Sequence, residues 1–418
     1  MKVIHLSFAD RGGGHNAVYR LCHALNKSGV KSLLWVNKSE LDDSMVEGPK
    51  NKIHQVINIL RRHLIRYLLV KRLKTKNKTV HSPSILPSRW LKKINNCNAD
   101  IIHLHWVQGE MLSIEDIGQI KKPTVWTLHD MWAFCGAEHY TYDNRWQEGY
   151  TYKNRPKHES GFDLNLWTWK RKKKYWRKAF QIITPSKWLA RCVMKSKLMS
   201  SWPVLSIPNP IDTKFWKPIN KKNARKKLHL NQENFLILFG ATDGSKDSRK
   251  GFDLLLDSIK NLKNISKSKK IEFIVFGQDR PKYVPKIGFP IHYLGHINDN
   301  STLRAVFNSA DVTVVSSRQD NLPSVAIESI ACGTPVVCFD TSGLSDIVDH
   351  KKTGYLARAF DTKSLAKGIM WVMQYGKIKK LSLNARKKAL AAYSETKVAA
   401  SYLKIYHQIV NKKNVKLS

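Results

Sequence analysis

The chain has 418 residues, with 72 Lys+Arg against 32 Asp+Glu, and a formal net charge of +40 before any histidine is counted. At 42% hydrophobic and 10% aromatic residues it can bury real cores, which excludes disordered and fibrous classes, and its length suggests two or three domains. Its apolar runs are broken by Arg or Lys within a few residues, as in Leu64-Ile65-Arg66-Tyr67-Leu68-Leu69-Val70-Lys71, well short of the ~18 apolar residues a spanning helix needs, so no transmembrane segment is expected.

The first predicted strand, Val3–Phe8, runs into Asp10-Arg11-Gly12-Gly13-Gly14-His15-Asn16. That is no small-residue cleavage site, so the start reads as a strand feeding a glycine loop, and a cytoplasmic location is expected. Consecutive glycines let backbone N–H groups close on an anion, and the amphipathic helix that follows (Ala17, Val18, Leu21, Cys22, Leu25) adds a favourable partial charge. The loop lacks the Gly-Lys-Ser/Thr of a Walker motif, and a tight turn explains it equally well.

After the strand Ser32–Val36, no acidic residue occurs from Gly48 to Ala99, while thirteen are basic. Within that stretch Ile53, Val56, Ile57, Leu60, Leu64, Tyr67 and Leu68 recur at helical spacing, with Arg61, Arg62 and Arg66 beside them. Such a stripe either packs on the sheet or lies on an anionic membrane surface. A second acid-free stretch, Leu164 to Ile211, holds Trp167-Thr168-Trp169-Lys170-Arg171-Lys172-Lys173-Lys174-Tyr175-Trp176-Arg177-Lys178, whose composition favours a membrane role: each nearby cation contributes ~1 kcal/mol and Trp sits at headgroup level. The same charge draws nucleic acid, but no nucleic-acid motif accompanies it and none is expected as a partner.

Between these stretches, the strands Asp100–His105 and Thr124–Leu128 end in His103, His105-Trp106 and His129-Asp130. Carboxyl ends of strands in a doubly wound sheet face the ligand crevice, which places His105, His129 and Asp130 for function, although a buried hydrogen-bonded histidine is the plainer reading. Gln181–Thr184 and Val204–Ile207 follow, and Pro208-Asn209-Pro210 then marks a domain boundary. The alternation restarts at Phe235–Gly240, Glu272–Gly277, His292–Leu294, Val312–Ser316 and Pro335–Phe339. The expected fold is α/β: two Rossmann-like doubly wound domains facing across a cleft, residues 1–210 and 211–385, with helices in 386–418 packing back toward the first.

The second half carries the denser motifs. Ala241-Thr242-Asp243-Gly244-Ser245-Lys246-Asp247-Ser248-Arg249-Lys250-Gly251 is a polar loop in which Arg249 or Lys250 suits a diphosphate. Asp320-Asn321-Leu322 lies eight residues before Glu328, and carboxylates accept from the vicinal hydroxyls of ribose or a hexose. Gly333-Thr334-Pro335-Val336-Val337 and Gly343-Leu344 complete a strand, a turn and a helix start. The six cysteines show no C-x-x-C spacing, so neither a zinc site nor a disulfide framework is expected.

Taken together with Lys352-Thr353-Gly354-Tyr355-Leu356, these motifs resemble the family-4 glycosyltransferases of the GT-B fold, closest to bacterial enzymes of exopolysaccharide, capsule or lipopolysaccharide assembly that carry Trp126-Thr127-Leu128-His129-Asp130-Met131-Trp132. The resemblance implies retaining, metal-independent transfer from a nucleoside-diphosphate sugar, with no other cofactor, to a lipid-linked saccharide acceptor by a peripheral enzyme on the inner face of the plasma membrane. It implies that Gly13 and Gly14 approach the donor, Lys250 and Arg249 bind the diphosphate, Glu328 holds the ribose, and Gly343 and Leu344 offer N–H groups to phosphate. Asp320, with Asn321 and Leu322, stands near the donor sugar, and His129, Asp320 and Lys250 form the catalytic set, with His105 and Asp130 on the acceptor side. Two positions depart from the family's pattern. Gly240-Ala241-Thr242-Asp243 lacks the usual Arg, for which Lys246 or Arg249 compensates, and Asp320 replaces a Glu. The alternatives are a non-catalytic module on the same fold that binds membrane or nucleic acid, and a glycogen-synthase or epimerase type of enzyme.

Overall fold

The apolar run that opens the chain becomes an interior strand of a seven-stranded parallel sheet. The computed structural model describes residues 1–71, 73–240, 247–265, 270–374 and 378–415. Strands β1 (Lys2–Ala9), β2 (Lys31–Lys38), β3 (Val46–Glu47), β4 (Ile101–Leu104), β5 (Thr124–Thr127), β6 (Gln181–Thr184) and β7 (Val204–Ser206) lie in the order β3-β2-β1-β4-β5-β6-β7. Val3 pairs with Ser32 on one side and Ile101 on the other. Helices cover both faces, so the strands read as continuous apolar runs rather than alternating ones.

A second sheet, also parallel, comprises β8 (Phe235–Gly240), β9 (Ile271–Phe276), β10 (Ile291–Tyr293), β11 (Val312–Val315), β12 (Val336–Phe339) and β13 (Gly354–Ala357), in the order β10-β9-β8-β11-β12-β13. Sequence reading finds neither β3 nor β13. β3 is two residues long, and β13 pairs with β12 at a glycine, where a Cβ on Gly354 would fall 1.9 Å from the Val336 carbonyl oxygen. In both sheets the strand order reverses beside the first strand, between β1 and β4 and between β8 and β11. Loops leaving those carboxyl ends are the places where a doubly wound sheet takes ligands.

The chain divides into two units, Met1–Pro210 with Glu395–Ser418, and Ile211–Ser394. The second unit thus runs beyond residue 385, and residues 386–418 do not act as one element. Helix Ile378–Ala392 belongs to the second unit, where Ala385 and Ala389 are fully buried. Helix Glu395–Val415 belongs to the first, packing Val398, Ala399, Tyr402 and Tyr406 on Leu21, Leu25 and Ile101.

The Trp/Lys segment buries Trp169, Lys172 and Trp176, while Lys170, Lys173, Lys174, Arg177 and Lys178 stay exposed. In helix Leu164–Tyr175, Lys172 is fully buried, and Trp169 and the following Trp176 are 6% exposed. Trp176 meets Trp126 edge-on at 5.2 Å and Trp132 at 5.8 Å. Burying one tryptophan is worth up to about 4–6 kcal/mol, which outweighs the ~1 kcal/mol that a surface lysine gains from lipid. Lys172 donates to the carbonyls of Trp132, Cys135 (3.1 Å) and Gly136 (2.7 Å), and burial lowers its pKa to about 7.

The helix at the other basic stretch behaves oppositely. In α1 (Gly13–Lys27), Leu21 and Leu25 are buried, but in α2 (Lys52–Ile65) and the π-turn Arg66–Val70 that continues it, the stripe faces solvent. Ile53 is 68% exposed, Leu60 58%, Leu64 53% and Tyr67 62%. Among the described residues, no helix is long and apolar enough to cross a membrane. All six cysteines are free, and all but Cys97 are buried.

Candidate functional site

In the second unit, Gly251 fixes the geometry. Its φ is +65°, and a Cβ there would lie 2.1 Å from the Ser316 carbonyl oxygen, so only glycine lets the loop after β8 pass the loop after β11. Ser316 Oγ donates to the Lys250 carbonyl at 3.0 Å, and Arg318 N–H donates to the Arg249 carbonyl at 2.8 Å. The two loops are therefore stitched together where the strand order reverses.

That stitching sets two cations on one carboxylate. Lys250 Nζ lies 2.6 Å from Asp320 Oδ2 and Arg249 Nη1 lies 3.5 Å from the same oxygen. Arg249 also donates to the Gln319 carbonyl at 3.0 Å and pairs with Asp247 at 2.9 Å. Burial of Asp320 disfavours its charge, but Lys250 and Arg249 more than offset that and hold its carboxyl below the ordinary range. Glu328, in helix Ser324–Ala331, is 6% exposed, and Asn321 is 4% exposed. Two cations, Lys250 and Arg249, thus converge on Asp320 at one end of the sheet. Ala241 to Lys246 lie outside the described residues, so Arg249 is the cation that the structure places here.

Two expected donor contacts do not form as read. Gly343 N–H donates to the Asp320 carbonyl at 2.9 Å and Leu344 N–H to the Thr341 carbonyl at 3.2 Å, so neither is offered to phosphate. The Gly343 bond holds the Asp320 backbone in place, and the Leu344 bond closes a turn on Thr341. Leu322 is 6% exposed, its side chain packed in the second unit's core.

In the first unit, the glycine loop and the strand-end histidines come together. Gly14 lies against the His129 ring, where a Cβ would meet Cγ and Nδ1 at 3.5 Å, while a Cβ on Gly13 (φ +45°) meets nothing within 4 Å. His15 Nδ1 is 2.7 Å from Ser7 Oγ. Behind His129 runs a chain of rings: His129 Nε2 is 3.2 Å from His105 Nδ1, and His105 Nε2 is 2.9 Å from His5 Nδ1. Burial lowers the pKa of His129 to about 4 and of His5 to about 3, so the rings are neutral and each carries one N–H. His5 Nε2 is buried without a partner. An orphaned lone pair is tolerated better than an orphaned N–H, so the protons run from His5 Nδ1 to His105 and from His105 Nδ1 to His129, leaving His129 Nδ1 as a donor.

His5, His103 and His105 place nitrogens within 4.8 Å of one another. His103, however, bonds Tyr406 OH at 2.7 Å and Thr127 Oγ1 at 2.8 Å, so both its nitrogens are engaged, and the trio reads as a hydrogen-bonded core. Asp130 is likewise engaged. It accepts from Trp106 Nε1 (3.1 Å), His139 Nδ1 (2.6 Å) and Trp132 N–H (3.0 Å), and these partners keep it ionised despite burial. It orients Trp106 and His139 rather than offering a base.

Residues 11–215 match the family described as Glycosyltransferase Family 4, and residues 220–389 match Glycosyl transferases group 1. The chain belongs to glycosyltransferase family 4. This family-4 chain is 27% identical over 194 residues to an uncharacterized glycosyltransferase of Methanocaldococcus jannaschii, a match covering 44% of this chain and 48% of the relative. It is 29% identical over 126 residues to the N,N'-diacetylbacillosaminyl-diphospho-undecaprenol alpha-1,3-N-acetylgalactosaminyltransferase of Campylobacter jejuni, covering 30% of this chain and 32% of the relative. The chain spans about half the length, or less, of these curated relatives. Among solved structures it resembles Anabaena HepE in complex with UDP and glucose, with a TM-score of 0.65 at 14% identity over 98% of this chain and 100% of that one. That likeness is one of fold: two Rossmann-like α/β domains, the GT-B architecture.

Sequence reading of this family-4 chain misses His5 and His139. His5 sits mid-strand in β1, in a run buried on both faces, and no motif singles it out. His139 follows an irregular segment, and only its contact with Asp130 and with Ser82 Oγ at 2.9 Å reveals it.

Proposed function

We propose that the chain is a retaining, metal-independent glycosyltransferase that moves a sugar from a nucleoside-diphosphate sugar to a lipid-linked saccharide at the inner face of the plasma membrane, in surface polysaccharide synthesis. The observation that carries this reading is the convergence of Lys250 and Arg249 on Asp320 at the carboxyl ends of the strands where the second sheet's order reverses. A departing diphosphate needs cations fixed in advance, and these two are held by a buried carboxylate and by backbone carbonyls. The UDP in HepE and the diphospho-undecaprenol in the Campylobacter relative's name support the two substrate classes.

In the proposed reaction, the bond between the anomeric carbon and the diphosphate oxygen breaks, the acceptor oxygen bonds that carbon on the same face, and its proton passes to the diphosphate. Lys250 and Arg249 stabilise the leaving charge, Glu328 accepts from the ribose hydroxyls and Asp320 from the sugar. His129, as an Nδ1–H donor, orients a substrate oxygen. D-x-D spacing, which would suit a divalent cation, does not occur in the sequence, and side-chain cations take that task. The exposed stripe of α2 is the membrane-facing element in this reading.

The test is thermal unfolding with UDP, GDP, dTDP and CMP, on the wild type and on Lys250→Ala and Glu328→Ala. One nucleotide at ~100 times its dissociation constant should add ~2.7 kcal/mol, and both variants should lose that gain. A wild type stabilised by none of the four would overturn the reading.

A further inference from the structure

The loop after β12 holds a strained residue that none of these roles uses. Ser342 has a φ of +49° and is 9% exposed, so a residue with a Cβ is kept in the left-handed region inside the second unit. A glycine would take that φ without strain, and Asn or Asp would take it more readily than serine. A strained residue persists only where its surroundings fix it, and such residues cluster at functional sites. What the Ser342 side chain does there is specific: its Oγ accepts the Asp320 N–H at 3.1 Å.

The next residue completes the hold. Gly343 N–H donates to the Asp320 carbonyl at 2.9 Å, so one turn of the β12 loop takes both backbone polar groups of Asp320. The residue before Asp320 is pinned as well, since the Gln319 carbonyl accepts from Arg249 at 3.0 Å. The turn is in its turn tied to the sheet, where Asp340 N–H donates to the Ala357 carbonyl at 2.7 Å. An aspartate has two side-chain torsions, so its carboxylate goes where its backbone is put, and here it lies 2.6 Å from Lys250 Nζ. Loss of the Oγ acceptor would orphan a buried N–H, and the loop would shift to find it a partner.

We propose that Ser342 is a positioning residue for sugar transfer, whose strained side chain clamps the Asp320 backbone and so fixes the carboxylate against Lys250 and the donor sugar. It acts through Asp320 and touches no substrate itself. This rests on the donor reading proposed above, in which Asp320 accepts from the sugar, and it assigns a task to a serine where glycine would fold more easily. Function and stability then pull in opposite directions at this one position, which a serine with a merely structural role would not do.

The experiment compares Ser342→Gly and Ser342→Thr with the wild type, as full chains. Three quantities are read: the unfolding temperature, hydrogen exchange of the peptide that contains Asp320, and turnover of the sugar conjugate of whichever of UDP, GDP, dTDP and CMP stabilises the wild type. Turnover is followed as donor hydrolysis, with water standing in for the acceptor. Ser342→Gly relieves the strain and removes the acceptor, so it should unfold at or above the wild-type temperature, yet exchange the Asp320 amide about tenfold faster and turn over about tenfold more slowly, in kcat rather than KM. Ser342→Thr keeps the acceptor and worsens the strain, so it should unfold at a lower temperature while its kcat stays within about threefold of wild type. Wild-type exchange and turnover in Ser342→Gly overturn the clamp. A fall in turnover together with a fall in unfolding temperature in Ser342→Gly overturns it too, because that is the mark of a structural role. Failure of the donor reading is seen separately, in a wild type that none of the four nucleotides stabilises.

Discussion

The Lys250 ammonium and the Asp320 carboxylate, 2.6 Å apart, neutralise each other where a diphosphate is proposed to bind, so an incoming anion must compete with a resident one. Asp320→Asn should therefore tighten binding of the free nucleoside diphosphate by about tenfold, equivalent to ~1.4 kcal/mol, while slowing sugar transfer, as read by calorimetry and turnover. It should also destabilise the second unit by about 1.5–3 kcal/mol, since a charged hydrogen bond is lost. Because the Asp320 pKa is lowered on folding, its contribution is full above the unfolded carboxylate value of about 4 and is lost as pH falls below that. The Asn variant should lack this acid-dependent loss.

Histidine 15N spectra check the ring chain. At pH 7, His5, His105 and His129 should each show protonated Nδ1 and bare Nε2. The opposite pattern would reverse the assigned direction and make His129 Nδ1 a base.

The same rings predict an acid weakness. His5, His15, His81 and His129 have pKa values lowered to about 3 or 4 by burial, against about 6.5 unfolded. Below pH 6.5 the unfolded chain binds protons that the folded one refuses, so stability falls as pH drops, by up to ~1.4 kcal/mol per pH unit for each ring. Urea midpoints for the first unit should fall between pH 7 and pH 5.

Lys172 separates structural from surface lysines. Lys172→Met leaves three buried carbonyls without their donor and should destabilise the first unit by about 2–4 kcal/mol. Lys173→Glu with Lys174→Glu, at exposed neighbours, should change stability by less than ~0.5 kcal/mol per site. Vesicle binding should follow α2 instead: Leu60→Ser with Leu64→Ser should reduce sedimentation with anionic vesicles.

Gly251→Ala should disrupt donor binding from outside the contact set. The left-handed φ costs about 1–3 kcal/mol for a non-glycine residue, and the overlap with the Ser316 carbonyl forces the two loops apart. Loss of the nucleotide-dependent thermal shift, with the sheet's far-UV signal kept, is the expected result.

All strands but β3 and β13, and their parallel arrangement, were legible because parallel strands buried on both faces are apolar throughout and alternate with helical periods. Lys250 and Asp320 were legible because loop chemistry follows directly on strand ends. What composition could not tell apart were two basic, apolar-rich helices. Both carry aromatics and lysines, yet one closes over the Trp126 cluster and buries Lys172, while the other leaves Leu60 and Leu64 in solvent. The difference lies in which neighbours arrive from distant sequence. For the same reason the N–H groups of Gly343 and Leu344 looked available until the carbonyls of Asp320 and Thr341 were placed beside them.

The last helix carries a consequence for synthesis. Its Tyr402 and Tyr406 cover Leu21, Leu25 and Ile101, yet they leave the ribosome only after all of Ile211–Ser394 has been made. At 5–20 residues per second the first unit's apolar flank stays bare for about 10–40 s, while the interposed second unit completes its own chain. The nascent protein thus finishes its middle before its beginning, and the flank left open in the meantime is where chaperones or premature self-association would act.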